Sequence, residues 1–338
     1  MKLENVSTTN KPFNQVKAWG ILLSAVGLLL LVSILGLAVG WYAFSLSELE
    51  TIWNRDPETT HHEIIVKIRL PLLLTTLVGG MGLAAASVIL QRVMRHRLAD
   101  TGIMGLTEGG AFAACLVVLY KPDAAYPWYI AAIGLGTIVL GAFNIIFARK
   151  VRGGSLAVRS MLVGAIMIMV LLGCARLIVL FTDDLLNNVI QVYLGSSGAV
   201  YENWLLPCFA LGLLGAIAVI AFKPSTDRAR KGVLLASAVV VIVLSMGAAA
   251  AFGAIAFVGM LVSLLARRLV GGSEGWVLAV STVLGAIVMV TLSIINRTLA
   301  APYELPLYVL ISMFGAPISL YLFYRSLMNP HKPTDGEH

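Results

Sequence analysis

Apolar residues run along this chain in long stretches separated by short polar joints, at about 19–44, 70–92, 102–120, 127–148, 159–181, 204–222, 232–253, 255–270, 276–295 and 306–328. The stretches are continuous rather than alternating and are rich in Leu, Ala, Gly and Met, which predicts helices and not barrel strands. One helix crosses the hydrocarbon core of a bilayer with about 20 residues. The pattern therefore predicts an all-α integral membrane protein of about ten transmembrane helices, with the short stretch at 255–270 a partial span. Tails at 1–18 and 329–338 flank one membrane domain at 19–328, and no joint is long enough for a soluble domain. The first stretch is too long for the apolar part of a signal peptide and many more follow it, so it is read as a retained first span.

Composition removes the main alternatives. Of 338 residues, 59% are hydrophobic and 12% charged, against roughly 45–50% and 25% in soluble domains. A soluble enzyme is excluded, and so is a disordered chain, which is poor in apolar residues. The net charge of +7 is accounted for by loops on one side of a membrane rather than by nucleic acid, because cytoplasmic loops collect Lys and Arg. With the N-terminus inside, 18 of the 24 basic residues fall on the cytoplasmic side, among them Arg95, Arg97, Arg149, Arg152, Arg228, Arg230 and Lys231. The outer joints are acidic instead, with Glu48, Asp56, Asp123, Asp183 and Glu304 among them. The opposite orientation inverts this ratio, so both termini are expected inside.

Candidate chemistry is sparse. Glu108, in Gly105-Leu106-Thr107-Glu108-Gly109-Gly110, is a proton relay, a cation contact, or a carboxylate helped by a helix N-terminus at the interface. Arg176 can extend along its span to the surface. His61-His62-Glu63 lacks a third metal ligand, and Asp183-Asp184 reads as a helix cap. Cys115, Cys174 and Cys208 are too scattered for a disulfide frame or a zinc site. No nucleophile–base motif stands out. No Walker A pattern occurs either, so any ATP and Mg would be held by another chain.

Five ordered motifs carry a resemblance. They are Arg69-Leu70-Pro71; Leu90-Gln91 followed by Arg95-His96-Arg97-Leu98-Ala99-Asp100-Thr101-Gly102; Gly253-Ala254-Ile255-Ala256-Phe257-Val258-Gly259; Arg297-Thr298 with Ala301-Pro302-Tyr303-Glu304-Leu305-Pro306; and Phe314-Gly315-Ala316-Pro317. Together they resemble the FecCD-like permease subunits of type II ABC importers, which take up iron–siderophore complexes, haem and cobalamin. The resemblance implies a second such permease, two ATP-binding-cassette ATPases on the cytoplasmic side, and an extracytoplasmic substrate-binding protein. It also implies that this chain is not itself an enzyme and holds no cofactor or metal.

By motif position, Arg69 and Arg297, with Glu304, would dock the binding protein, since a guanidinium suits bidentate pairing with carboxylates. Arg95, His96, Arg97, Asp100, Arg228, Arg230 and Lys231 would form the surface facing the ATPase, with lipid headgroups the other partner for the basic residues. Gln91, Glu108 and Phe257 would lie along the pathway. One departure stands out: the link at 222–231 is short and contains Pro224, where the family carries a longer helical segment that seats in the ATPase. This implies one half of a heterodimeric permease with weakened coupling. An ion-coupled secondary transporter and a non-transporting scaffold or regulatory subunit are the alternatives.

Overall fold

The computed structural model describes residues 15–40, 64–121, 124–180, 212–214, 216–218, 221, 227–271, 273–299 and 307–328, and all its regular structure is helical. The helices are α1 (Gln15–Ala38), α2 (Leu70–Met94), α3 (Leu106–Tyr120), α4 (Tyr126–Lys150), α5 (Leu156–Leu180), α6 (Asp227–Phe252), α7 (Val258–Val270), α8 (Glu274–Leu299) and α9 (Leu307–Met328). A π-helical turn, Ile64–Arg69, leads into α2. Helical residues 212–214 and 216–218 fall in the apolar stretch expected at 204–222. Six helices among the described residues are long and apolar enough to cross a membrane. Helices α3 and α7 are shorter, with 15 and 13 residues.

Local sequence sets the ends. Pro71 and Pro127 lie in the first turns of α2 and α4, where a missing N–H costs nothing. Arg95 closes α2 in the left-handed region (φ 51°), its N–H donating to the Gln91 carbonyl.

The bundle is built around α2. From Gly82 to Gln91 every one of its residues is buried, and it packs against α6, α7 and α8. Glycine makes this possible. A Cβ added at Gly80 would fall 2.4 Å from the Gly285 carbonyl oxygen of α8, and one at Gly285 would fall 2.3 Å from that of Gly80. The two backbones touch, as small residues permit between membrane helices. Gly79 likewise accepts the ring of Phe252 from α6, and Gly109 and Gly136 bring α3 against α4. Helices α1 and α5 turn Leu23 and Met169 outward among other large apolar residues. Lipid is as apolar as these side chains, so such a surface is stable only in a bilayer.

The glycine crossing generates a prediction. Gly80→Val should lower the thermal midpoint in nanodiscs by the equivalent of at least about 3 kcal/mol, the upper end of overpacking costs, because the obstacle is backbone. Gly27→Val, whose Cβ meets nothing within 4 Å, should leave the midpoint unchanged.

Candidate functional site

Two irregular segments, 95–105 and 253–257, meet inside the bundle. The second separates α6 from α7, and contacts with α2 set its depth. Gly259 abuts Leu83 and Ser87, while Ser263 and Arg267 reach Gln91. Helix α7 thus runs parallel to α2 and starts beside Ser87, seven residues (about 10 Å of helix) before the Met94 end. Residues 99–102 fold back to the same depth and are all buried.

Backbone that is not helical and lies at membrane depth must find hydrogen-bond partners inside the protein. Asp100 supplies them. Its side chain is buried (2% exposed) and accepts five hydrogen bonds. Oδ1 receives the Ser87 hydroxyl at 2.8 Å and the Met260 N–H at 3.1 Å. Oδ2 receives the N–H groups of Gly102 at 3.1 Å, Ile103 at 3.4 Å and Phe257 at 3.1 Å. Two of these donors are orphans of the first turn of α7, and a carboxylate is favoured at a helix N-terminus. The other two backbone donors belong to its own turn, the local bond that Asp makes readily. Sequence placed Asp100 on the ATPase-facing surface; the structure corrects this, because every lone pair in use points inward.

Phe257, half-buried, stands at the start of α7 with φ 72° and ψ −30°. That is an uncommon conformation for a bulky residue. Its N–H is the one Asp100 holds, and its Cβ lies where a side chain on Gly315 of α9 would have to go. Of the three expected pathway residues, Phe257 alone keeps partial exposure. Gln91 is 3% exposed; its amide donates to Ser263 Oγ at 2.7 Å and to the Ala99 carbonyl at 3.4 Å, and its oxygen accepts from Arg267 Nε at 3.4 Å. Arg267 in turn forks onto both oxygens of Glu274 at 2.7 and 3.3 Å, tying α7 to α8. Glu108 is 1% exposed, three residues into α3. The Thr107 hydroxyl lies 3.0 Å from its Oε2 and 2.9 Å from the Ile255 carbonyl. Gln91 and Glu108 are thus interior to this chain.

Residues 95–98 of the segment reach the surface. Arg95 and Arg97 are exposed. His96 is half-buried, and its Nδ1 accepts the Leu98 N–H at 3.3 Å; burial pulls its imidazole below the usual range. Asn144 of α4 donates to the Met104 and Ser160 carbonyls at 2.9 Å each, fixing the end of the segment against α5. Lys231 is exposed, whereas the side chains of Arg228 and Arg230 lie outside the described residues. Their backbone is helical: the first turn of α6 continues unbroken from Asp227.

At the opposite end of α2, two arginines converge on the last carbonyls of α1. Arg69 Nη1 donates to Leu37 O at 2.6 Å and Ala38 O at 3.1 Å; Arg297 Nη2 donates to Gly36 O at 3.0 Å. These are the acceptors a helix C-terminus leaves unpaired, and a cation there also suits the dipole. Arg69 is 6% exposed. In this chain it caps α1 through buried carbonyls; Arg297 is half-buried. Glu304, His61, His62, Glu63, Asp183 and Asp184 lie outside the described residues. Arg176 is exposed, and no group of three metal-ligating side chains occurs among the described residues.

Reading the sequence did not single out Ser87, Thr107 or the Arg267–Glu274 pair. The available signal was polar side chains inside apolar stretches, beside the motif residues they serve.

Two predictions follow from these contacts. Arg69→Leu should cost about 3 kcal/mol of stability, since charge-assisted bonds contribute about 1.5–3 kcal/mol each and two carbonyls lose their donor; Arg297→Leu should cost less. Thermal unfolding in nanodiscs measures both. For His96, the folded state holds the neutral ring more firmly than the unfolded chain does. Stability from this group is therefore present above the ordinary imidazole value of about 6.5 and lost as pH falls below it. His96→Asn should flatten that part of the stability–pH curve.

Comparison with known proteins agrees with the motifs. The model of the FecCD transport family matches residues 28–325. The chain is 30% identical, over 92% of its length and 96% of the relative's, to the probable siderophore transport system permease protein YfhA of Bacillus subtilis (strain 168). It is 29% identical, over 95% of its length and 86% of the relative's, to the iron(3+)-hydroxamate import system permease protein FhuB of the same organism. A solved structure described as an inward-facing conformation of a putative metal-chelate type ABC transporter has the same fold. It superposes with a TM-score of 0.72 at 22% identity, covering 90% of this chain and 99% of that one. With most of its length inside one family's boundaries, this chain belongs to the FecCD transport family.

Proposed function

We propose that the chain is the permease subunit of an ATP-binding-cassette importer that carries a ferric siderophore, or a related iron chelate such as haem, inward across the cytoplasmic membrane. The observation that carries this reading is the family match over residues 28–325, and the siderophore and iron(3+)-hydroxamate permeases among the relatives supply the cargo class.

In this reading ten helices span the membrane with both termini inside. Arg95, His96 and Arg97, with Arg228, Arg230 and Lys231, meet the ATPase, which holds ATP and Mg. A binding protein delivers cargo on the other side, where Arg69, Arg297 and Glu304 are the docking candidates. A second, non-identical permease completes the pathway and takes the larger share of coupling, because the 222–231 link of this chain is short. The permease makes no covalent change to its cargo; alternating access arises from two packed arrangements of the bundle.

A second reading, ion-coupled transport, is favoured by one feature, the buried Glu108 with its Oε1 unpaired. One experiment separates the two. Uptake of radiolabelled ferric hydroxamate should stop in cells depleted of ATP and persist when an uncoupler collapses the proton gradient. Glu108→Gln, which keeps hydrogen-bonding capacity but cannot ionise, should retain uptake within about threefold, about 0.7 kcal/mol by the rate relation. Uptake that survives ATP depletion, or a Glu108→Gln variant without transport, would favour ion coupling.

A further inference from the structure

We propose that Asp100 is the positioning residue that makes the segment 95–105 and helix α7 one mechanical body, so that a displacement of Arg95 and Arg97 is delivered to Phe257 at membrane depth. This rests on the ABC-permease reading and names the route by which that reading's coupling enters the bundle.

The argument starts from what a carboxylate can hold. Two oxygens offer about four lone-pair positions, and the five donors on Asp100 fill them. The donors come from three places: α2 through Ser87, the segment itself through Gly102 and Ile103, and α7 through Phe257 and Met260. One side chain therefore joins two segments that are 157 residues apart in sequence. The joint is stiff for three further reasons. Gly102 lies flat against the 255–256 backbone, where an added Cβ would fall 2.3 Å from the Ile255 carbonyl oxygen. Gln91 ties Ala99 to Ser263 from the other side. Asn144 fixes Met104.

At the far end of this body, the N–H of Phe257 is held by Asp100 while its backbone sits at φ 72°. Strained residues of this kind persist only where their surroundings over-determine them. Loss of the Asp100 contact frees the residue to relax toward ordinary negative φ, which moves its ring relative to Gly315 of α9. The exposed arginines at 95 and 97 and the half-buried ring at 257 are thereby the two ends of one lever.

Asparagine is the discriminating substitution. It replaces one acceptor oxygen with an NH₂ that faces N–H donors, so Asp100→Asn loses either the Oδ1 contacts or the Oδ2 contacts at nearly unchanged volume. Hydrogen–deuterium exchange on the wild-type chain in nanodiscs should show the amides of Gly102, Ile103, Phe257 and Met260 protected. In Asp100→Asn the protection of either Met260 or Phe257, according to which oxygen is replaced, should fall at least tenfold, while amides of α1 and α8 remain as in wild type. In the assembled transporter, ferric hydroxamate uptake by this variant should fall more than tenfold while ATP hydrolysis stays within about twofold. Ser87→Ala, which removes one donor of five, should lower uptake per ATP two- to threefold and covers the case in which Asp100→Asn fails to assemble. Unchanged protection at Phe257 and Met260 overturns the joint. Retained uptake, or uptake and hydrolysis falling in proportion, overturns its role in coupling. Absence of ATP-driven uptake in the wild type overturns the permease reading instead, and the exchange result then decides the joint alone.

Discussion

Inside a bilayer no water is at hand to satisfy a stray N–H or C=O, and this structure is organised by that shortage. Regular helices settle the matter internally. The difficulty is concentrated where the chain leaves the helix below the surface, at 95–105 and 253–257. Each segment alone would leave several backbone groups unpaired, at a cost of several kcal/mol apiece in hydrocarbon. Brought together around Asp100, they satisfy one another. The carboxylate takes the donors, while the Thr107 hydroxyl approaches the Ile255 carbonyl. The short lengths of α3 and α7 follow, because both start from this buried junction and not from the membrane surface.

The same shortage explains the arginines at the other end of α2. The last carbonyls of α1 would otherwise be orphans, and Arg69 and Arg297 supply donors from two different helices. An arginine at a membrane helix end can be read as a rim charge awaiting a protein partner or as a cap. The capping contacts and the burial of Arg69 are properties of the packed bundle and not of the local sequence.

How much was legible in advance divides along that line. The helical stretches were readable because hydrophobic runs of span length have one stable outcome in lipid, and the break before 258 was readable from Gly253 and the short run after it. The motif residues were readable as important. Their roles were not. Asp100 sits between the exposed Arg95 and Arg97 and the apolar α3 stretch, and nothing local says that the chain turns inward at Leu98-Ala99 and not after it. Gln91 and Glu108 suggested a polar path because polar groups in apolar runs usually line one. Both are buried between helices of this chain, and Ser263, which pairs with Gln91, and Ile255, which pairs with the Thr107 beside Glu108, lie far away in sequence. Long-range hydrogen bonds of this kind have no signature in spacing or periodicity.

The glycine crossing between α2 and α8 has a consequence of its own. Where Gly80 and Gly285 press main chain against main chain, and Gly79 and Gly259 admit Phe252 and Ser87 just as closely, no flexible side chains stand between the helices to absorb a shift. A closely packed interior passes strain on rather than damping it, so α2 and α8 can shift at this crossing only as a rigid pair.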